Sequence, residues 1–188
     1  MKRGLTACAL LALSLLLGAC SKQSDDTPPP APHAAIPQDA VGHYCGMFLY
    51  EHKGPKGQIL LRDREQPVWF TTIRELFAYT QLPEEPKAIV AAYVQDMAKM
   101  TPEGNFPNDA WIDARKAHYV IHSRFTGGMG TQDALPFGTE DAAQAFQRLH
   151  GGEVISFETM PESYIFDAGM SVPVPSESPG TTPAGAAS

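Results

Sequence analysis

Hydrophobic positions in this chain recur at two spacings. Alternating or β-branched runs mark Tyr44 to Tyr50, Gln58 to Arg62, Val68 to Phe70, Ala117 to Ser123 and Glu153 to Glu158 as strands. The Gly/Pro-rich Lys53-Gly54-Pro55-Lys56-Gly57 between the first two reads as a hairpin loop. Thr72-Ile73-Arg74-Glu75 has the form of a capping box and opens a helix to about Thr80. Thr139 is placed to cap a second helix, EDAAQAFQRLH, with Glu140 and Asp141 at its positive end and Gly151-Gly152 as its stop. Lys87 to Gln95 stays open between a strand, on its β-branched residues, and a helix, on its alanines.

The two helices are entered alike, by Phe70-Thr71-Thr72 and by Phe137-Gly138-Thr139. Each follows β-like segments. Each half also carries a methionine beside glycine, in Cys45-Gly46-Met47 and in Gly127-Gly128-Met129-Gly130. The pattern predicts an α+β domain of two small strand-strand-helix units packed together.

The ends of the chain read differently. Residues 1–19 combine Lys2 and Arg3 with an apolar run from Leu5 to Leu17, the layout of an export signal. That run is shorter than the roughly 20 residues of a membrane-spanning helix. Leu17-Gly18-Ala19-Cys20 is similar to a bacterial lipobox, which would leave Cys20 as a lipidated N-terminus. Ser21 in the next position resembles outer-membrane sorting. Residues 20–42 are Pro-rich and polar and read as a disordered tether, with a reach on the order of 60 Å at ~3.1 Å per residue. Residues 167–188 read as a disordered tail, which leaves 43–166 as the folded domain.

Charge and cysteine narrow the function. The chain has 14 Lys+Arg against 21 Asp+Glu and no basic stripe, so nucleic acid is not its partner. Of its three cysteines, Cys8 leaves with the signal and Cys20 carries lipid. Cys45 is then the only free thiol, in a compartment where thiols tend to be oxidised.

On a strand, residues two apart share a face, so Cys45 and Met47 would present a thiol and a thioether together. Such soft donors suit Cu(I). Met129, flanked by glycines, is the candidate that completes the site. Core packing is the competing account of Met47 and Cys45. His52, seven residues after Cys45, and His122, shortly before Met129, are possible additional metal ligands. Met97 and Met100 have the spacing of one packed helix face. No Cys-x-x-Cys, haem-attachment, Walker or dinucleotide motif is present. A thiol enzyme using Cys45 is the alternative from another class, but it gives Met47 no role. A structural envelope lipoprotein is the third reading.

Several of these residues occur in short motifs that resemble one family. They are Cys45-Gly46-Met47-Phe48, His52-Lys53-Gly54-Pro55-Lys56-Gly57-Gln58, Trp111-Ile112-Asp113-Ala114, Gly128-Met129-Gly130 and His150-Gly151-Gly152, together with the lipobox. The chain resembles NosL, the copper lipoprotein that accompanies nitrous oxide reductase. The resemblance implies a lipid-anchored periplasmic Cu(I) metallochaperone at the outer membrane rather than an enzyme. It implies nitrous oxide reductase and the NosD, NosF and NosY ABC-type membrane complex as partners. It also implies a plan similar to the organomercurial lyase MerB, and carries over Cys45, Met47 and Met129 as copper ligands.

Overall fold

Two antiparallel sheets repeat one construction. In the first, β1 (Gly57–Leu61) lies between β2 (Val68–Phe70) and β3 (Ile89–Gln95), and α1 (Ile73–Gln81) connects those two neighbours. A fourth strand, β4 (Trp111–Asp113), adds to β3, giving the order β2-β1-β3-β4. In the second, β5 (His118–Ile121) lies between β6 (Leu135–Phe137) and β7 (Glu153–Ser156), with α2 (Glu140–His150) connecting them. A short α3 (Glu162–Asp167) follows. This computed structural model describes residues 28–127 and 130–167. Cys20, Met129, the signal segment and the tail from residue 168 lie outside the described residues.

The echo in the sequence is therefore spatial. Phe70 pairs with the first residue of β1, Gly57, and Phe137 pairs with the first residue of β5, His118. Thr72 and Thr139 cap α1 and α2, and Thr72 with Glu75 forms the full capping box. The open segment is a strand. β3 has β1 on one side and β4 on the other, so tertiary pairing overrides the helical preference of its alanines.

Alternation assigns each face. Ile59, Val68, Phe70, Ala92 and Val94 join Ile73, Leu76 and Phe77 of α1 in the main core, which also takes Tyr119 and Ile121 of β5 and Tyr164 and Ile165 of α3. Val120, Leu135 and Phe137 face the other way, toward Ala143 and Phe146 of α2. Leu60, Trp69, Tyr93 and Trp111 form a separate cluster on the outer face of the first sheet.

That outer face is covered by the N-terminal segment, a departure from the expected free tether. The amide of Gln58 donates to His33 O and accepts from His33 N (3.0 and 2.9 Å). Tyr93 OH donates to Pro30 O (2.6 Å) and Trp111 Nε1 to Ala34 O (2.9 Å). Ile36 and Ala40 pack on the tryptophan cluster. A Pro-rich segment cannot pair as a regular strand, but its carbonyls remain acceptors. Here they meet the polar ends of aromatic side chains. From Pro30 onward the segment is a strap.

Two other expectations are corrected. Tyr44 to Tyr50 is not a strand but a turn followed by a short 3₁₀ helix at Leu49–Glu51. Consequently Lys53 to Gly57 is not a hairpin loop but the entry to β1, whose neighbours come later in the chain. The edge strand β6 went unpredicted because it contains Pro136, which edges tolerate. Among the described residues no helix is long and apolar enough to cross a membrane.

Candidate metal-binding site

Cys45 sits on a small pin rather than on a strand. Val41 and Phe48 form its base as an isolated antiparallel bridge. Gly42 N donates to Met47 O (2.9 Å), and Gly46 N donates back to Gly42 O (2.8 Å). His43 N donates to Trp69 O (2.8 Å), which fixes the pin to the middle of β2. Gly46 takes φ +66°, a left-handed conformation that glycine adopts without strain. This residue breaks the alternation on which the shared-face argument rested. What Cys45 and Met47 share is the loop closed between Gly42 and Met47.

The Cys45 Sγ lies 3.1 Å from Thr71 Oγ1, one residue before the cap of α1. It also packs over Gly42, where a Cβ would lie 2.5 Å from the sulfur and collide with the Thr71 hydroxyl. Gly42→Ala is therefore expected to displace the thiol. Its alkylation rate should change, and unfolding in urea should show a loss of about 1–3 kcal/mol, the range for overpacking a buried site.

Charge at this helix end is already negative. Thr71 N and Thr72 N donate to Glu75 Oε2 (3.1 Å each), and Ile73 N and Arg74 N donate to the two oxygens of Asp133 (3.0 Å each). The N–H groups that could have held an anion are thus satisfied by the protein's own carboxylates. Asp133 is fully buried, and burial pushes its carboxyl up to about 6 despite three backbone N–H donors and Arg74. Burial likewise holds the Lys56 amine down to about 8, against the pull of Asp133 and Glu75.

The methionines divide. Met97 and Met160 are buried in hydrophobic clusters and Met100 packs against one. Met47 is half-buried and belongs to none of the clusters among the described residues. Met47 is therefore not part of the described hydrophobic core, which is the competing account of this residue. Met129 lies outside the described residues. Four residues after it, Asp133 is fastened to the first turn of α1, next to the Thr71 that meets Cys45. Four residues of chain span at most ~14 Å.

The two candidate histidines differ. His52 Nε2 is buried with no hydrogen-bond partner among the described residues. An orphaned buried nitrogen costs stability unless something occupies it. His122 is exposed, has φ +55°, and sets its ring edge-to-face on Tyr164 at 4.8 Å. No three His, Cys, Asp or Glu side chains gather into a metal cluster among the described residues.

Sequence reasoning missed Thr71 and Glu75 as the surroundings of the sulfur. The capping box announced the helix end, but nothing local placed Cys45 against it. It also missed the pin's exposed rim. Val41, Tyr44, Phe48 and Tyr50 are four of the five large exposed hydrophobics among the described residues.

The NosL family model matches residues 32–165, beginning inside the strap. The chain belongs to the NosL family. Among its relatives is the copper-binding lipoprotein NosL of Achromobacter cycloclastes, 37% identical over 162 residues, covering 83% of this chain and 80% of that one. The copper-binding lipoprotein NosL of Stutzerimonas stutzeri is 32% identical over 127 residues, covering 67% and 64% respectively. The crystal structure of the copper chaperone NosL from Shewanella denitrificans shares the fold with a TM-score of 0.65 at 31% identity, covering 72% of this chain and 99% of that one. These relatives are named as copper-binding proteins or chaperones, not as enzymes. The family match takes in most of the strap, from Pro32 onward.

Proposed function

We propose that this NosL protein is a metallochaperone that carries Cu(I), bound by Cys45 as thiolate and Met47 as thioether. The observation that carries this reading is the pin. A thiol and a thioether that joins none of the described hydrophobic clusters share a loop closed by two backbone hydrogen bonds, next to the first turn of α1. Met129 is the third ligand in this proposal. His52 is favoured over His122 as an imidazole donor because its Nε2 is buried and unpaired. Copper is cargo here. A site of few soft ligands holds Cu(I) and still permits ligand exchange with a recipient.

The proposal extends to place and partner. Lipidation at Cys20 would hold the protein at the outer membrane, facing the periplasm. The recipient system would be nitrous oxide reductase, reached with NosD, NosF and NosY, and the exposed aromatic rim around the pin suits contact with a protein. The MerB-like plan belongs to the same proposal, supported by the repeated strand order of the two sheets.

Competition for Cu(I) between the full chain and a chromophoric chelator tests the site. Wild type is expected to take one equivalent. Cys45→Ser and Met47→Leu are each expected to lose the competition with unchanged circular dichroism. Normal copper uptake by Met47→Leu would overturn the ligand assignment, and uptake by Cys45→Ser would overturn the function.

A further inference from the structure

The pin needs an anchor for its tip. Backbone bonds fix its base, and the Cys45 sulfur rests on Thr71 and Gly42. The other two side chains at the tip converge on one atom. Tyr44 OH donates to Glu85 Oε1 at 2.8 Å, and His43 Nε2 lies 3.1 Å from the same oxygen. Glu85 is more than forty residues away in the chain, and its side chain is only 12% exposed. The two donors stack edge-to-face on each other at 4.7 Å, and the His43 ring also meets Tyr79 of α1 at 5.3 Å.

We infer that Glu85 is a positioning residue for copper binding, clasping His43 and Tyr44 so that the Cys45 sulfur is held in place before metal arrives. The inference rests on the proposed function. Glu85 is itself well placed to act as a fixed point. Its N–H donates to Leu82 O, and Lys87 Nζ, two residues on, donates to the carbonyls of Tyr79, Thr80 and Leu82 at the end of α1. The pin is thus held at both ends of one helix, by Thr71 before α1 and by Glu85 after it. Burial, and then the Glu85 carboxylate, push the Tyr44 phenol up, so it remains a donor. The His43 ring is turned toward Phe70, Tyr79 and Glu85. Its contribution is to hold the loop, with its Nε2 engaged by the carboxylate. Preorganising a ligand loop removes part of the ordering cost of binding.

The test is Cu(I) affinity of the full chain by chelator competition. Glu85→Ala is expected to weaken binding about tenfold, the scale on which groups supporting a metal ligand act. Glu85→Gln keeps an acceptor oxygen and is expected to restore most of that loss. In a chain already carrying His43→Phe and Tyr44→Phe, Glu85→Ala is expected to add nothing, because the clasp is gone. Should Glu85→Ala fail to fold, the His43→Phe, Tyr44→Phe chain reads the same loss from the other side. Unchanged affinity in Glu85→Ala, or an equal further loss in the double-donor variant, overturns the inference. If Cys45→Ser still binds copper, the proposed function fails instead.

Discussion

Asp133→Ala is expected to remove about 3–5 kcal/mol of stability, the range for leaving a buried charge without its partner. The carboxylate joins the two units. It enters from the segment before β6 and accepts from Ile73 N and Arg74 N at the start of α1. Arg74 is itself buried, donates to Ile165 O at 2.7 Å and lies over the Tyr164 ring. Alanine would strand two helix N–H groups and leave the guanidinium without the carboxylate's field. The same group makes stability depend on pH. Folding raises its pKa from 3.8 to about 6, so the protonated form favours the folded state. That contribution is complete below pH 4 and is lost as pH rises through about 6. Two pKa units correspond to roughly 3 kcal/mol. The difference in urea stability between wild type and Asp133→Asn should therefore fall by roughly that amount from pH 4 to pH 7. A difference that stays flat would mean the carboxyl is not held in this environment.

Removing the strap is expected to cost about 2–4 kcal/mol. A chain that begins at Val41 loses the bonds from Tyr93 to Pro30, Trp111 to Ala34, the reciprocal pair between Gln58 and His33, and Leu49 N to Ala40 O. It also uncovers Leu60, Trp69 and Trp111. These include both tryptophans of the chain, so their emission should shift to longer wavelength as the urea midpoint falls. A chain that begins at Pro28 should match the intact protein in both. Equal midpoints for the two truncated chains would show that the strap does not contribute to the fold.

Local signals carried much of this fold. The capping box at Thr72, the cap at Thr139, the glycine stop after His150 and the paired entries to the helices are all contacts made within a few residues. Non-local features escaped. The strap looked like a linker because composition reports the segment's own preferences, not the Trp69 and Trp111 surface that it covers. Gly46 looked like a spacer in a strand because its positive φ is set by the Gly42 to Met47 closure. Cys45 and Met47 stood out through their chemistry, although the strand argument for their proximity was incorrect. Thr71 and Glu85 could not be found that way, since folding alone brings them to the pin from 26 and about 40 residues away.

Docking of the strap shortens the leash. With the lipid at Cys20, as proposed, only nine residues separate the anchor from Pro30. Such a segment spans at most ~36 Å, against the on the order of 60 Å available to a free tether ending at Gly42. In general, halving the chain length between an anchor and a bound group raises that group's effective concentration at a nearby partner about threefold, because it falls as the −3/2 power of length. The strap also runs directly into the pin, from Ala40 to Val41. Pull or slack on such an anchor would therefore reach the loop that carries Cys45 through the covalent chain, with the strap's hydrogen bonds and the packing of Ile36 and Ala40 to absorb it.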